Sequence, residues 1–168
     1  MSERKTEMLS MLDTADVETR AILNGLSDDD LKKRTDESNW TVGQLAGHIA
    51  QVPWAIYVTR RLSQGRNAAA PAPFGFLLNL GNWWNVRRFR NASKRQLLDS
   101  WSKGLSAYRS YVESLPDEVL DKTGEVSGLG RMSVYEFVKR APEHTREHGA
   151  TIQRALSAET ELSKRGLR

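Results

Sequence analysis

The three histidines of this chain are its clearest candidates for chemistry. His144 and His148 stand four residues apart near the C-terminal end, and His48 lies far earlier. On a helix, residues four apart share one face, with their β-carbons about 6 Å from each other. His48 also falls on a stretch with helical periodicity, on the same side as apolar residues. We therefore predict that the three imidazoles meet around one metal ion.

A shared metal ion is favoured because a protonated imidazole in an apolar seam is energetically costly. A divalent ion binds the neutral form of each ring and gives all three inward histidines a common partner. Three protein nitrogens leave one position open for water or substrate, which is typical of a catalytic rather than a structural centre. The alternative is that the histidines are separate core residues, each bonded to a neighbour.

Composition narrows the chemistry further. The chain has no cysteine, so transition-metal ligands must come from histidine or carboxylate, and thiol chemistry needs an external thiol. Its length suits one domain, residues 1–168, with a tail predicted to fray from about Ala158. The N-terminal stretch has no signal-peptide pattern, and no apolar run approaches the ~20 residues of a membrane span. We expect a cytoplasmic protein without a membrane partner.

The charge pattern argues against nucleic acid as a partner. The net charge is +4, and 21 acidic residues are interspersed among 25 basic ones without a recognition motif. The basic residues form small groups, one of which is Arg87, Arg88 and Arg90. This pattern is typical of a solvated surface, and it also suits the attraction of a small anionic substrate.

Four long amphipathic segments position these residues. Capping boxes, in which two side chains satisfy backbone N–H groups at a helix start, begin the last three segments at Thr41, Ser93 and Ser133. The first helix is predicted over about 3–26, the second from 41 up to the break at 63, the third over 93–115 and the fourth from 133 to about 157. Pro53 and Pro142 fall inside the second and fourth helices, and they predict a kink or local widening at Pro53 and a kink at Pro142.

Two long connections complete the predicted architecture. Residues 63–91 predict a crossover with a short helix near 73–87, whose Trp83 and Trp84 either pin it to the helices or contact a partner. Residues 117–130 predict a loop with three glycines. Four amphipathic helices with a long crossover between helices 2 and 3 predict an all-α four-helix bundle, whose core is a common place for metal sites.

The chain resembles the DinB/YfiT-like superfamily of metalloenzymes over residues 5–157. The resemblance is carried by the helix start at Trp40-Thr41, by His48 two turns later, and by the His144-x-x-x-His148 motif on the last helix. It implies an up-down-down-up order of the helices and a divalent ion, zinc or nickel, held by the three histidines. It also implies a small-molecule substrate, and homodimers are frequent in the superfamily.

The first functional hypothesis is a metal-dependent S-transferase. Characterised members of the superfamily include S-transferases and isomerases that use bacillithiol, mycothiol or glutathione, and the resemblance therefore implies a low-molecular-weight thiol as cofactor. Carboxylates of that thiol would be received by Arg87, Arg88 or Arg90.

Two other hypotheses stay open. A metal-dependent hydrolase would need a general base near the ion, and Glu143 and Glu147 are expected to point away from the histidine seam. Glu136 is not placed toward it either. The third hypothesis is a non-enzymatic, stress-associated bundle that uses the metal for stability or binds a partner through Trp83 and Trp84.

Overall fold

The computed structural model describes residues 1–36, 40–69 and 87–164, and for residues 159–164 it describes the backbone alone. Within these ranges the chain forms six α-helices, two short β-strands and two 3-10 turns. In chain order these are α1 (Glu3–Gly25), a 3-10 turn (Asp30–Lys32), α2 (Val42–Ile49), α3 (Val52–Ser63), α4 (Lys94–Ser114), a 3-10 turn (Asp117–Val119), β1 (Thr123–Val126), β2 (Gly130–Ser133), α5 (Val134–Lys139) and α6 (Ala141–Lys164).

The helices combine into four long units, namely α1, α2 with α3, α4, and α5 with α6. α1 packs against α4, α5 and α6, while α3 packs on α4 and α2 packs on α6. Each unit turns an apolar stripe toward one shared core, as the helical periodicity predicts. The predicted all-α four-helix bundle is confirmed. None of the described helices has the length and apolar character that crossing a membrane requires.

All three predicted capping boxes are formed. At the start of α2, the Gln44 backbone N–H donates to Thr41 Oγ1 at 3.2 Å, and the Thr41 backbone N–H donates to Gln44 Oε1 at 3.1 Å. The same reciprocal pattern begins α4 at Ser93 and α5 at Ser133. Because each box satisfies backbone donors that a helix start leaves unpaired, these short motifs determine where three helices begin.

The two internal prolines mark complete breaks rather than kinks. Residues 50 and 51 separate α2 from α3, and Pro53 lies in the first turn of α3. In the last unit Arg140 separates α5 from α6, and Pro142 lies in the first turn of α6. Proline is well accommodated in a first turn, because its missing N–H has no intrahelical acceptor there. Both breaks lie within a few residues of a histidine.

The prediction of a loop over residues 117–130 is wrong for the second half of this range, where the antiparallel hairpin of β1 and β2 begins. Thr123 pairs with Ser133, and Val126 pairs with Gly130. Gly128 and Gly130 have φ angles of 79° and 78°, in the left-handed region that favours glycine. Each strand has four residues, which is too short for an alternating pattern to stand out among the turn glycines.

Two predictions fall on or beyond the edges of the described residues. The short helix near 73–87, with Trp83 and Trp84, lies outside them except for Arg87 at its end. At the C-terminal end, α6 continues as helix to Lys164, past Ala158, where the tail was predicted to begin fraying.

Candidate metal centre

Two helical units bring the three histidines together. His48 lies in the last turn of α2, and His144 and His148 lie one turn apart on α6. Their ring centroids are 5.3 Å apart for His48 and His144, 4.9 Å for His48 and His148, and 4.6 Å for His144 and His148. One nitrogen from each ring can be chosen so that all three lie within 4.8 Å of one another. The fold thus gathers side chains from distant parts of the sequence at one point.

The electrostatics of the cluster favour neutral imidazoles. Burial, with smaller contributions from the neighbouring His148, His48 and the Arg140 guanidinium, lowers the pKa of His144 to about 3. A ring with this pKa is uncharged at neutral pH and presents an unprotonated nitrogen. Neutral imidazole nitrogens are good ligands of zinc, nickel and other first-row divalent ions. The donor set therefore fits a divalent transition metal.

Contacts between α1 and α6 set the orientation of the histidine pair. Thr145, directly after His144, is 2% exposed, and its Oγ1 lies 3.2 Å from Oγ1 of the buried Thr19 on α1. Farther along α6, a β-carbon at Gly149 would lie 2.7 Å from Cδ1 of Ile22, so glycine allows the close approach of the two helices. With this face of α6 held against α1, the histidines stand beside α2.

A cavity of about 490 Å³ lies beside the histidines. His48 and His144 form part of its wall, and most of the remaining wall is apolar, with the aromatic rings of Trp101 and Tyr108 among it. Trp54 also belongs to the wall and is 43% exposed, so this residue lies where the cavity meets solvent. A mostly apolar cavity of this volume with a few polar groups is typical of a site for a small molecule.

Arg140 and Glu147 are the charged residues among the described residues of the cavity wall. The Arg140 side chain places Nε 3.0 Å from Glu143 Oε2 and Nη2 3.7 Å from Glu147 Oε1. Glu147 therefore belongs to the cavity wall, which was not predicted, but its carboxylate is not in the group of side chains that could hold a metal together with the histidines. Glu147 lies about 60° around the helix from His144, and the cavity is wider than the histidine seam. Glu143 is as exposed as Glu147 but does not line the cavity.

Glu136 is occupied by the helix start of α5. Its Oε2 accepts hydrogen bonds from the Ser133 backbone N–H at 2.7 Å and from Ser133 Oγ at 2.8 Å. These bonds lower the pKa of the Glu136 carboxyl, the backbone bond most strongly. Since Glu136 is not among the described wall residues either, Glu147 is the carboxylate that the cavity offers as a base.

The three arginines predicted to bind a thiol lie just before α4. Arg87, Arg88 and Arg90 are exposed, whereas Phe89 between them is buried. The Arg88 guanidinium carbon lies 5.0 Å from the centroid of the Phe89 ring. None of the three arginines is among the described residues that line the cavity. Their role in thiol binding stays a prediction.

Gln51 and Arg140 are wall residues that the sequence reasoning missed. Each stands at a helix break, Gln51 between α2 and α3 and Arg140 between α5 and α6. A signal was present, because Gln51 follows His48 by three residues and Arg140 precedes His144 by four. Prolines close to both positions mark the ends of helices, where side chains leave the regular helical faces.

The structure is thus a four-helix bundle in which three histidines converge beside a cavity. This arrangement is that of a candidate metal-binding protein. The chain belongs to the DinB superfamily, whose sequence pattern matches residues 11–152. This membership agrees with the family resemblance carried by the helix start at Trp40 and by the histidines. A comparison with curated proteins found no match.

Several solved structures are similar in fold. YfiT from Bacillus subtilis, described as a probable metal-dependent hydrolase with an unusual four-helix bundle topology, has a TM-score of 0.67 at 16% identity, covering 98% of this chain and 89% of that one. A mycothiol-dependent maleylpyruvate isomerase has a TM-score of 0.70 at 9% identity, covering 90% of this chain and 63% of that one. An uncharacterized protein from Clostridium difficile 630 has a TM-score of 0.67 at 17% identity, covering 92% and 96%. The likeness confirms the predicted four-helix bundle.

Proposed function

We propose that this chain is a metal-dependent enzyme that acts on a small molecule held in the cavity, with His48, His144 and His148 as ligands of zinc or nickel. The observation that carries the proposal is the convergence of these three side chains, two of which, His48 and His144, line a mostly apolar cavity. Among the described residues, the possible metal-binding group consists of these three alone, which leaves a position open. Two proteins of similar fold, the probable metal-dependent hydrolase YfiT and the mycothiol-dependent maleylpyruvate isomerase, support the same class.

The reaction that we propose is transfer to the sulfur of a low-molecular-weight thiol. When bound, the ion would lower the pKa of a thiol or a water in its open position. The chain itself has no cysteine, so the thiol comes from solution. The apolar wall around Trp101 and Tyr108 would bind the electrophilic substrate and exclude water from it.

Hydrolysis is the second candidate, and one observation favours it. Glu147 lines the same cavity as His48 and His144, which places a carboxylate where a general base is needed. If water rather than a thiol is the nucleophile, Glu147 would take its proton. The third hypothesis, a non-enzymatic bundle, would be favoured by a fourth protein ligand that closes the metal site.

Metal content tests the shared part of these proposals. Protein purified without a nickel column should contain about one divalent ion per chain by mass spectrometry, and His48→Ala and His144→Ala should lose it. Arg146→Gln is the matched control, because Arg146 lies on α6 but bonds Glu18 on α1 and does not line the cavity. A protein that is metal-free and also refuses added zinc and nickel would contradict the proposal.

The nucleophile is tested by comparing turnover with and without thiol. Conversion of 1-chloro-2,4-dinitrobenzene should require glutathione, bacillithiol or mycothiol, and Arg88→Ala should raise the KM for a thiol that carries carboxylates. Metal-dependent hydrolysis of p-nitrophenyl acetate without any thiol would favour the hydrolase instead. In that case Glu147→Gln should lower kcat by about a hundredfold or more.

The proposal includes a cytoplasmic location and a homodimer. Both rest on the sequence and on the family resemblance. Light scattering after gel filtration tests the second, since a dimer has twice the 19.0 kDa of one chain.

A further inference from the structure

Among its described residues, the cavity wall contains one permanent positive charge, the guanidinium of Arg140. The groups around Arg140 leave part of this guanidinium available to a ligand. Arg140 lies between α5 and α6 and belongs to the wall together with His48 and His144. Its Nε is 3.0 Å from Glu143 Oε2, but its Nη2 is 3.7 Å from Glu147 Oε1, which is longer than a hydrogen bond. The terminal nitrogens of this guanidinium are therefore only loosely engaged by glutamate.

Both glutamates are weak competitors for Arg140. The side chains of Glu143 and Glu147 are 58% and 56% exposed, while that of Arg140 is 33% exposed. Ion pairs with such exposed carboxylates contribute little, because water screens the charges and competes for the hydrogen bonds. A carboxylate that enters the cavity instead would meet the same guanidinium in a drier environment, where bidentate pairing with arginine is strong.

Gln51 supplies a second donor on the same wall. Its Nε2 is buried and has no hydrogen-bond partner within the part of the chain that the structure describes. Leaving a buried N–H group without an acceptor is costly, so a ligand oxygen that reaches it would bind more tightly. Gln51 follows His48 by three residues, and both line the cavity. The two polar donors thus line the same cavity as His48 and His144.

We propose that Arg140 and Gln51 determine specificity by binding a carboxylate of the ligand, whose apolar body lies against Trp101 and Tyr108. This inference rests on the proposed function, since it identifies the substrate class of that same site as amphipathic carboxylates. Arg140 lies one helical turn before His144, whose backbone N–H donates to the Arg140 carbonyl at 3.0 Å, and both residues line the cavity. A carboxylate on Arg140 would therefore hold the rest of the ligand beside the candidate metal ligands.

The test compares 4-phenylbutanoate with its neutral isostere 4-phenylbutanamide. Binding is followed by tryptophan fluorescence, since Trp54 and Trp101 line the cavity, with and without one equivalent of zinc. The unmodified protein should bind the acid about tenfold or more tightly than the amide. Arg140→Gln should remove this preference, whereas Gln51→Leu should weaken both ligands about threefold to tenfold, because each carries an acceptor oxygen. Arg146→Gln should behave as the unmodified protein does.

Other outcomes would overturn the inference. Equal binding of acid and amide, no binding of the acid at millimolar concentration, or a preference that survives in Arg140→Gln would each do so. Circular dichroism melting and zinc stoichiometry of every variant show whether it is folded and loaded. Since the acid preference is also measured without zinc, failure of the metal site and failure of the carboxylate site give different results.

The same experiment identifies which reactant carries the carboxylate. If glutathione displaces 4-phenylbutanoate, the site receives the carboxylate of a thiol. If glutathione binds to the zinc-loaded protein together with 4-phenylbutanoate, the site receives the second substrate. Both results support carboxylate binding at Arg140 and Gln51.

Discussion

Several polar side chains are buried in the core, and burial and hydrogen bonding decide their protonation. Burial keeps His144 neutral, and it raises the pKa of the Tyr108 phenol. Thr59 Oγ1 donates to the Ala55 carbonyl at 2.8 Å and lies 2.8 Å from the Tyr108 hydroxyl. Since Thr59 has one proton to donate, Tyr108 is the donor in the second bond. A neutral, hydrogen-bonded tyrosine therefore forms part of the cavity wall.

Tyr108→Phe should lower the free energy of unfolding by about 1 kcal/mol, because the buried Thr59 oxygen loses a donor. Urea denaturation measures this change. Tyr111→Phe is the control, since the Tyr111 hydroxyl lies 3.3 Å from Ser63 Oγ at a half-buried position. Equal losses in both variants would show that the buried bond has no special contribution.

Asp30 gives a prediction for the dependence of stability on pH. Hydrogen bonds from Lys33 and then Ser27 lower the pKa of its carboxyl to about 2 from 3.8. A lowered folded pKa stabilises the protein above about pH 4, and this contribution is lost as the pH falls from 3.8 toward 2. Asp30→Asn should therefore cost about 1 kcal/mol at pH 6 and almost nothing at pH 2, measured by urea denaturation.

Asp29→Asn is the matched control for Asp30. The Asp29 side chain is 89% exposed and pairs with Lys32 on the surface, so solvent screens its interaction. A loss at pH 6 as large as that of Asp30→Asn would contradict the explanation. So would a cost for Asp30→Asn that does not change with pH.

At the scale of elements, close packing around small residues decides where α2 lies. A β-carbon at Gly47 would overlap the ring of Phe89, which is buried against α2 on the segment before α4. His48 is the next residue. The position of this candidate ligand therefore depends on glycine at 47 as well as on the capping box that begins the helix.

Gly47→Ala should destabilise the protein by about 1–3 kcal/mol, because Phe89 or α2 must shift. Zinc affinity should fall as well, since His48 moves with the helix. Gly25→Ala is the control, as a β-carbon there has no heavy atom within 4 Å. Thermal melting and zinc titration measure both effects. If a destabilised Gly47→Ala variant kept its zinc affinity, the position of His48 would not depend on the packing of α2.

At the scale of the whole molecule, a metal ion would join two units of the bundle. His48 belongs to the second unit and the histidine pair to the fourth, so a common ion would bind the folded chain far better than the unfolded one. Zinc at a free concentration about 100 times its Kd should therefore stabilise the protein by about 2.7 kcal/mol.

This stabilisation is measured as a rise in Tm on adding zinc and its reversal by a chelator. His148→Ala should show little or none of it. A Tm that does not respond to zinc, although one equivalent binds, would show that the ion does not bridge α2 and α6 in the folded protein.

Much of the fold and part of the site could be predicted from local sequence. The capping boxes at Thr41, Ser93 and Ser133 are formed, and the apolar stripes of the four helices face the core. The hairpin at 123–133 could not be separated from a loop, because four-residue strands carry too few positions for a periodic pattern. The breaks at Pro53 and Pro142 were predicted only as kinks. A proline in the sequence does not show whether the helix bends there or ends before it.

The sequence by itself determined the helices, their inward faces and the three histidines, because helix starts and periodicity act over a few residues. Only the tertiary structure decided that Arg140, Gln51 and Glu147 share a wall with His48 and His144. These residues lie on different helical units or at helix ends, where the direction of a side chain depends on how the units pack. Local patterns carry no information on that packing, and the chemistry of the cavity is decided by it.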